Sequence, residues 1–102
     1  MNEIEIRMLP EFARWLDGLR DKGARSRLFA RLRKAKYGNL GDVKPVGEDI
    51  WEMREFFGPG FRLYYVWRGK TLILMLGGGD KSTQSKDIKA AKRLAALLEQ
   101  ES

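Results

Sequence analysis

Leu72-Ile73-Leu74-Met75-Leu76 is the segment that most restricts how this chain can fold. A strand alternates its side chains between two faces, so an unbroken apolar run asks for apolar cover on both. The run is far shorter than the ~20 residues a membrane helix needs. It therefore predicts a central strand of a sheet, with Gly77-Gly78-Gly79 as its end. Two more strands precede it. Ile50 to Phe56 is the first, and Phe61 to Trp67 is the second. Gly58-Pro59-Gly60 joins those two, and Arg68-Gly69 turns the chain into the third strand, Thr71 to Leu76.

The first half of the chain has a different rhythm. Ile4, Ile6 and Met8 alternate with Glu5 and Arg7, which predicts a short strand. Pro10 suits the first turn of a helix, and Phe12, Trp15, Leu16 and Leu19 follow at helical spacing. Gly23 is read as a break or bend. A second helix then runs to about Lys36 on an inner stripe of Leu28, Leu32 and Ala35, with Phe29 beside it. Residues 38–49 hold three glycines, Pro45, Asn39 and Asp42, and read as a loop. A last helix starts near Ser82 or Thr83, with Asp80 or Ser82 as its cap, and buries Ile88, Ala91, Leu94, Ala95 and Leu98. The order β-α-α-β-β-β-α predicts an α+β fold with its helices on one face of the sheet. The 102 residues suffice for one core, so residues 1–102 are expected to form one domain.

Composition removes much chemistry. There is no cysteine and no histidine, so thiolate metal sites, disulfides and histidine general bases are out of reach. The remaining acids are scattered, and no metal or other cofactor is expected. The start of the chain lacks a basic, then apolar, leader, and a cytoplasmic setting without membrane contact is the expectation. The net charge of +6 favours a polyanionic or acidic partner. Eight basic residues against one acid lie between Arg20 and Lys36. Within them Arg27, Arg31 and Lys34 fall on one helix face. They could track a nucleic-acid backbone, bind an acidic protein segment, or simply be solvated.

Alternation brings a second group together. If Met53 faces the core, Glu52 and Arg54 face away from it, and Arg62 and Tyr64 do the same on the next strand. Such a face is either a solvated surface with a Glu–Arg pair, worth about 0–1 kcal/mol, or an anion-binding surface. Arg62 sharpens the choice. A guanidinium keeps its charge, so burying it calls for a carboxylate or for an anion that can reach it. The stretch Gly77 to Ser82 does not have nucleotide P-loop spacing, because Asp80 precedes Lys81 and Met75 stands where the earlier glycine is required. It leaves a helix-capping turn, or backbone N–H groups and Lys81 beside a phosphate.

An enzyme built from these residues works with arginine, lysine, tyrosine and a carboxylate. That set suits RNA phosphodiester cleavage, where the ribose 2′-OH is the nucleophile and the protein orients it and stabilises charge.

Three elements, Trp51-Glu52-Met53-Arg54, Gly58-Pro59-Gly60-Phe61-Arg62-Leu63-Tyr64-Tyr65 and Gly78-Gly79-Asp80-Lys81-Ser82-Thr83-Gln84-Ser85-Lys86-Asp87-Ile88, stand in one order and spacing. Together they resemble the RelE/ParE superfamily of type II toxins, and within it the HigB-type, phage-derived addiction module killer proteins. Trp15-Leu16-Asp17-Gly18-Leu19 and the stretch from Gly38 to Gly47 fit that branch as well. The resemblance implies a RelE-like fold, a small antiparallel or mixed sheet with two N-terminal helices and a C-terminal helix. It implies a cognate helix-turn-helix antitoxin, and the ribosome and mRNA as further partners. For RelE-like members it implies ribosome-dependent cleavage of mRNA by a metal-independent endoribonuclease. By position, Arg54, Arg62 and Lys81 match cationic active-site positions, and Glu52 or Tyr64 is the candidate for proton transfer. Arg27, Arg31 and Lys34 are the candidate RNA contacts. ParE-like members instead inhibit DNA gyrase without cutting RNA, and a toxin fold kept as a binding module is a further alternative.

Overall fold

The computed structural model describes residues 3–101; Met1, Asn2 and Ser102 lie outside the described residues. The elements run β1 (Glu5–Met8), α1 (Pro10–Asp17), α2 (Lys22–Lys36), β2 (Val43–Gly47), β3 (Ile50–Arg54), β4 (Phe61–Arg68), β5 (Leu72–Asp80), a 3₁₀ turn (Lys81–Thr83) and α3 (Gln84–Glu101). The five strands form one sheet in the order β1-β5-β4-β3-β2. β1 pairs with β5 in parallel, and the other neighbours are antiparallel. The α+β architecture and the central place of Leu72–Leu76 agree with the sequence.

One core forms between α1, α2 and one sheet face. Pro10 opens α1, whose Phe12 and Leu16 are buried. The Asp21 carboxylate caps α2 by accepting from the Ala24 N–H at 3.0 Å. Gly23 sits inside that first turn rather than breaking the helix; the reversal between helices comes at residues 18–21. Leu28, Leu32 and Ala35 of α2 then pack with Met53, Leu63, Tyr65, Ile73 and Met75 of the sheet. Burying each large apolar side chain contributes about 1.5–3 kcal/mol.

The opposite face carries the other residues of the same strands. Ile50, Tyr64, Val66, Leu74 and Leu76 pack there against Ala91, Ile88, Leu94 and Leu98 of α3. The expectation of helices on one face is therefore corrected: α1 and α2 cover one side and α3 the other. The apolar run of β5 is buried on both faces because a layer lies on each.

Two boundaries also differ from expectation. β5 does not stop at Gly77 but continues to Asp80, with Gly77, Gly78 and Gly79 paired to Tyr64, Leu63 and Arg62. Glycine is needed there for close approach. A Cβ at Gly78 would overlap the Trp15 ring, and one at Gly79 would overlap the Asp87 carboxylate. Residues 43–47, read as loop, form the edge strand β2. An edge strand tolerates Pro45, because one side of its backbone needs no partner.

Candidate functional site

Arg54 and Arg62 are directly opposite on β3 and β4, and Glu52 is opposite Tyr64. The four share the α3-facing side of the sheet, as alternation predicts. They are not equally accessible.

Arg62 is buried at 6 % exposure. Its Nη1 donates to the carbonyls of Glu55 at 2.9 Å and Phe61 at 3.1 Å. Its Nε has no hydrogen-bond partner, and among the described residues Arg62 makes no ion pair. Among the described residues no carboxylate pairs with this guanidinium. Gly60 takes φ of +80°, and a Cβ there would stand 3.5 Å from both Arg62 Nη1 and Lys81 Cβ. Only the positive φ calls for glycine here, since contacts at that distance are ordinary. Lys81 itself is exposed in the 3₁₀ turn. The turn is held by Asp80, whose carboxylate accepts from the Ser82 N–H at 2.8 Å. The Ser82 hydroxyl and backbone hydrogen bonds keep the Asp80 carboxyl below the usual range.

Arg54 is about one-third exposed and forks onto Asp42, with contacts of 3.0–3.3 Å. Pairs at this exposure are worth about 0–1 kcal/mol, so an incoming phosphate can compete for the guanidinium.

Glu52 and Tyr64 are fully buried beneath the start of α3. One Glu52 oxygen accepts from Gln84 Nε2 at 2.8 Å. The other oxygen and the Tyr64 hydroxyl have no hydrogen-bond partner. Burial, then the neighbouring Glu52 carboxylate, raise the Tyr64 phenol well above its ordinary pKa, and the Arg62 charge opposes this only weakly. Tyr64 accordingly keeps its proton at neutral pH. The open face expected around these two residues is closed over them by Gln84.

Arg27, Arg31 and Lys34 do line one depression, of about 400 Å³, together with Asn39 and Glu55. Their roles differ. Arg31 donates to the carbonyls of Arg54, Leu40 and Asp42 and pairs with Glu55 at 3.2 Å, so it pins the 38–42 loop to the end of β3. Arg27 is exposed and lies 3.7 Å over the Phe57 ring. Lys34 is exposed.

Comparison with known proteins follows the same outline. The model of the family "Phage derived protein Gp49-like" matches residues 14–98. The chain belongs to the Gp49-like family. An uncharacterized protein of Haemophilus influenzae is 42 % identical over 95 residues, covering 93 % of this chain and 96 % of that one. Among solved structures, a double mutant of E. coli toxin RelE in the free state matches with TM-score 0.69 and 17 % identity, over 89 % of this chain and 97 % of its own. The toxin from the toxin–antitoxin complex RelBE2 of Mycobacterium tuberculosis matches with TM-score 0.53 and 19 % identity, over 78 % of this chain and 99 % of its own. This Gp49-like protein therefore has the RelE-superfamily fold.

In the Gp49-like chain, three residues that sequence reasoning did not single out, Glu55, Phe56 and Phe57, follow Arg54 and join the two basic groups. Arg54-Glu55-Phe56-Phe57 is their shared hub. The Arg54 carbonyl takes Arg31, the Glu55 carbonyl takes Arg62, Phe56 lies beside Arg54 and Arg62, and Phe57 lies under Arg27. Glu55 and Phe56 stand outside the quoted motifs, and Asp42 and Gln84 stand inside them without a role assigned. Their roles come from contacts across 12 to 32 residues of chain, or from a ring left in solvent.

Proposed function

We propose that the protein is the toxin of a type II toxin–antitoxin pair of the RelE type, a metal-independent endoribonuclease that cuts mRNA on the ribosome. The observation that carries this reading is Arg62, a buried guanidinium with a free Nε and no carboxylate, next to Arg54 and Lys81. The RelE fold and the Gp49-like family support it, and the RelBE2 neighbour supports an antitoxin partner, here of the helix-turn-helix kind. Among the described residues no cluster of acids is spaced to hold a metal ion, and no helix is long and apolar enough to cross a membrane.

In this reading the ribose 2′-oxygen attacks the adjacent phosphorus, the P–O5′ bond breaks, and a 2′,3′-cyclic phosphate remains. Arg62 and Arg54 stabilise charge on the equatorial oxygens of the phosphorane, and Lys81 holds a neighbouring phosphate. Glu52 or Tyr64, cross-strand partners beside these cations, assists proton transfer. Arg27 and Lys34 meet RNA phosphates, while Arg31 holds the loop beneath them.

The test is induction of the wild type and of Arg62→Ala, with 5′-end mapping of transcripts. Removing a charge stabiliser of this kind costs about 10²–10³ in rate. We expect cuts confined to translated frames in the wild type and their near-absence in a folded Arg62→Ala. A folded variant that cuts and arrests growth normally would reject the assignment. DNA damage without cut transcripts would point to gyrase instead.

A further inference from the structure

Phe56 is 70 % exposed, a large aromatic side chain left in solvent beside the site. Its ring centroid lies 5.6 Å from the guanidinium carbons of both Arg54 and Arg62. Those arginines are cross-strand partners on one sheet face, so two cations lie beside one ring. At that exposure most of the ring surface is open to solvent. The backbone that presents it is fixed at both preceding residues, because Arg31 holds the Arg54 carbonyl and Arg62 holds the Glu55 carbonyl. The Arg62 Nε is buried without a hydrogen-bond partner, a second and independent observation at this spot.

We propose that Phe56 is a nucleobase platform. An unstacked base of the bound RNA lies on its free face, and the phosphate of that nucleotide runs back to Arg62 and Arg54. The inference rests on the endoribonuclease reading and adds the residue that seats the base. An aromatic plane flanked by guanidinium groups recognises a nucleotide through its two parts, the π face and the charge. A flat ring accepts any base, so Phe56 would set the position of the cut within the nucleotide rather than its sequence. The platform also accounts for an exposed phenylalanine at a place where neither core receives it.

The experiment compares wild type, Phe56→Trp and Phe56→Leu in a translation extract programmed with a defined mRNA. Cutting is followed by primer extension at limiting protein. Leucine keeps an apolar side chain under the arginines but has no plane. Stacking on an aromatic is worth enough that its loss should slow cutting about 10-fold or more. Tryptophan should hold the rate within about threefold, since it offers a larger plane. An mRNA with an abasic nucleotide at the cut position should slow the wild type and slow Phe56→Leu no further. Melting of both variants near the wild-type temperature shows that they fold. Phe56→Leu cutting at the wild-type rate, or Phe56→Trp as impaired as Phe56→Leu, would overturn the platform and leave the endoribonuclease reading standing. Normal cutting by Phe56→Leu with weakened antitoxin binding would assign the ring to a protein partner instead. Wild-type protein that cuts no translated message would remove the reading itself.

Discussion

The two faces of the central strands are built from alternate residues of the same segments, yet they are finished differently. On the α1–α2 side, Met53, Leu63, Tyr65, Ile73 and Met75 meet a continuous apolar layer. On the α3 side the layer is apolar around Ile50, Val66, Leu74 and Leu76, then turns polar at Glu52, Tyr64, Arg62 and Arg54. The first face is a core from end to end. The second is a core that opens into a site. A helix that stopped short of the arginines lets one sheet serve both ends, with Arg62 anchored to backbone carbonyls rather than to a carboxylate. A salt bridge would have satisfied Arg62 at the cost of its free charge.

The comparison breaks first at two adjacent residues. Leu63 is fully buried on the core face, next in sequence to Arg62 on the site face. Leu63→Ala removes a packed side chain and should cost about 2–5 kcal/mol of folding stability, read from denaturant unfolding. Cutting per folded molecule should stay near wild type. Arg62→Ala should give the reverse pattern, a large loss of cutting with a smaller loss of stability. If Leu63→Ala destroyed activity without lowering stability, the division between the faces would be wrong.

A second contrast sits within the site. Glu52 is a buried carboxylate held by one hydrogen bond from Gln84, whereas Arg54 is exposed and forked on Asp42. Gln84→Ala strips that donor from a group that cannot reach water. It should cost about 1–3 kcal/mol, measured by thermal or denaturant unfolding. Asp42→Asn acts on an exposed pair and should cost under about 1 kcal/mol. Equal losses for the two variants would mean that α3 does not seal Glu52.

What could be read from the sequence follows local rules. Pro10 at a helix start and the alternation that set Arg62 with Arg54 and Tyr64 rest on neighbours in the chain, whereas the Asp21 cap of α2 was not read. The run Leu72–Leu76 already demanded cover on two faces, and placing every helix on one side ignored that demand. α3 supplies the missing layer through Ile88, Ala91, Leu94 and Leu98. Its first turn then closes over Glu52, a contact between residues 52 and 84 that no local pattern announces. Residues 43–47 hid as a loop because Pro45 and Gly47 are turn formers, and only an edge position makes them a strand. Gly77 to Gly79 hid as a strand end for the same reason. The smallness of Gly78 and Gly79 is required by Trp15 and Asp87, which arrive from elsewhere in the chain.

The smallest effect compares Tyr64 and Tyr65, which point to opposite faces and are both fully buried with unpartnered hydroxyls. Burial pushes the Tyr65 phenol up to about 12 and raises Tyr64 above its ordinary value of 10.0 as well. In the unfolded chain both lose their protons near pH 10, while the folded chain keeps them. Above pH 10 the unfolded state therefore binds fewer protons than the folded one, and stability falls as pH rises. The contribution is intact below pH 10 and is lost progressively toward about pH 12 for Tyr65. Each tyrosine should remove about 1 kcal/mol between pH 10 and pH 11. Denaturant midpoints across that range should shift less in Tyr65→Phe, and less again in the double variant with Tyr64→Phe. At neutral pH Tyr65→Phe should be close to neutral, since it removes a buried hydroxyl that bonds to nothing. Tyr64→Phe should cost more, because the Tyr64 hydroxyl lies against Glu52, and should also differ in cutting. That difference separates a hydroxyl that is only buried from one that moves a proton.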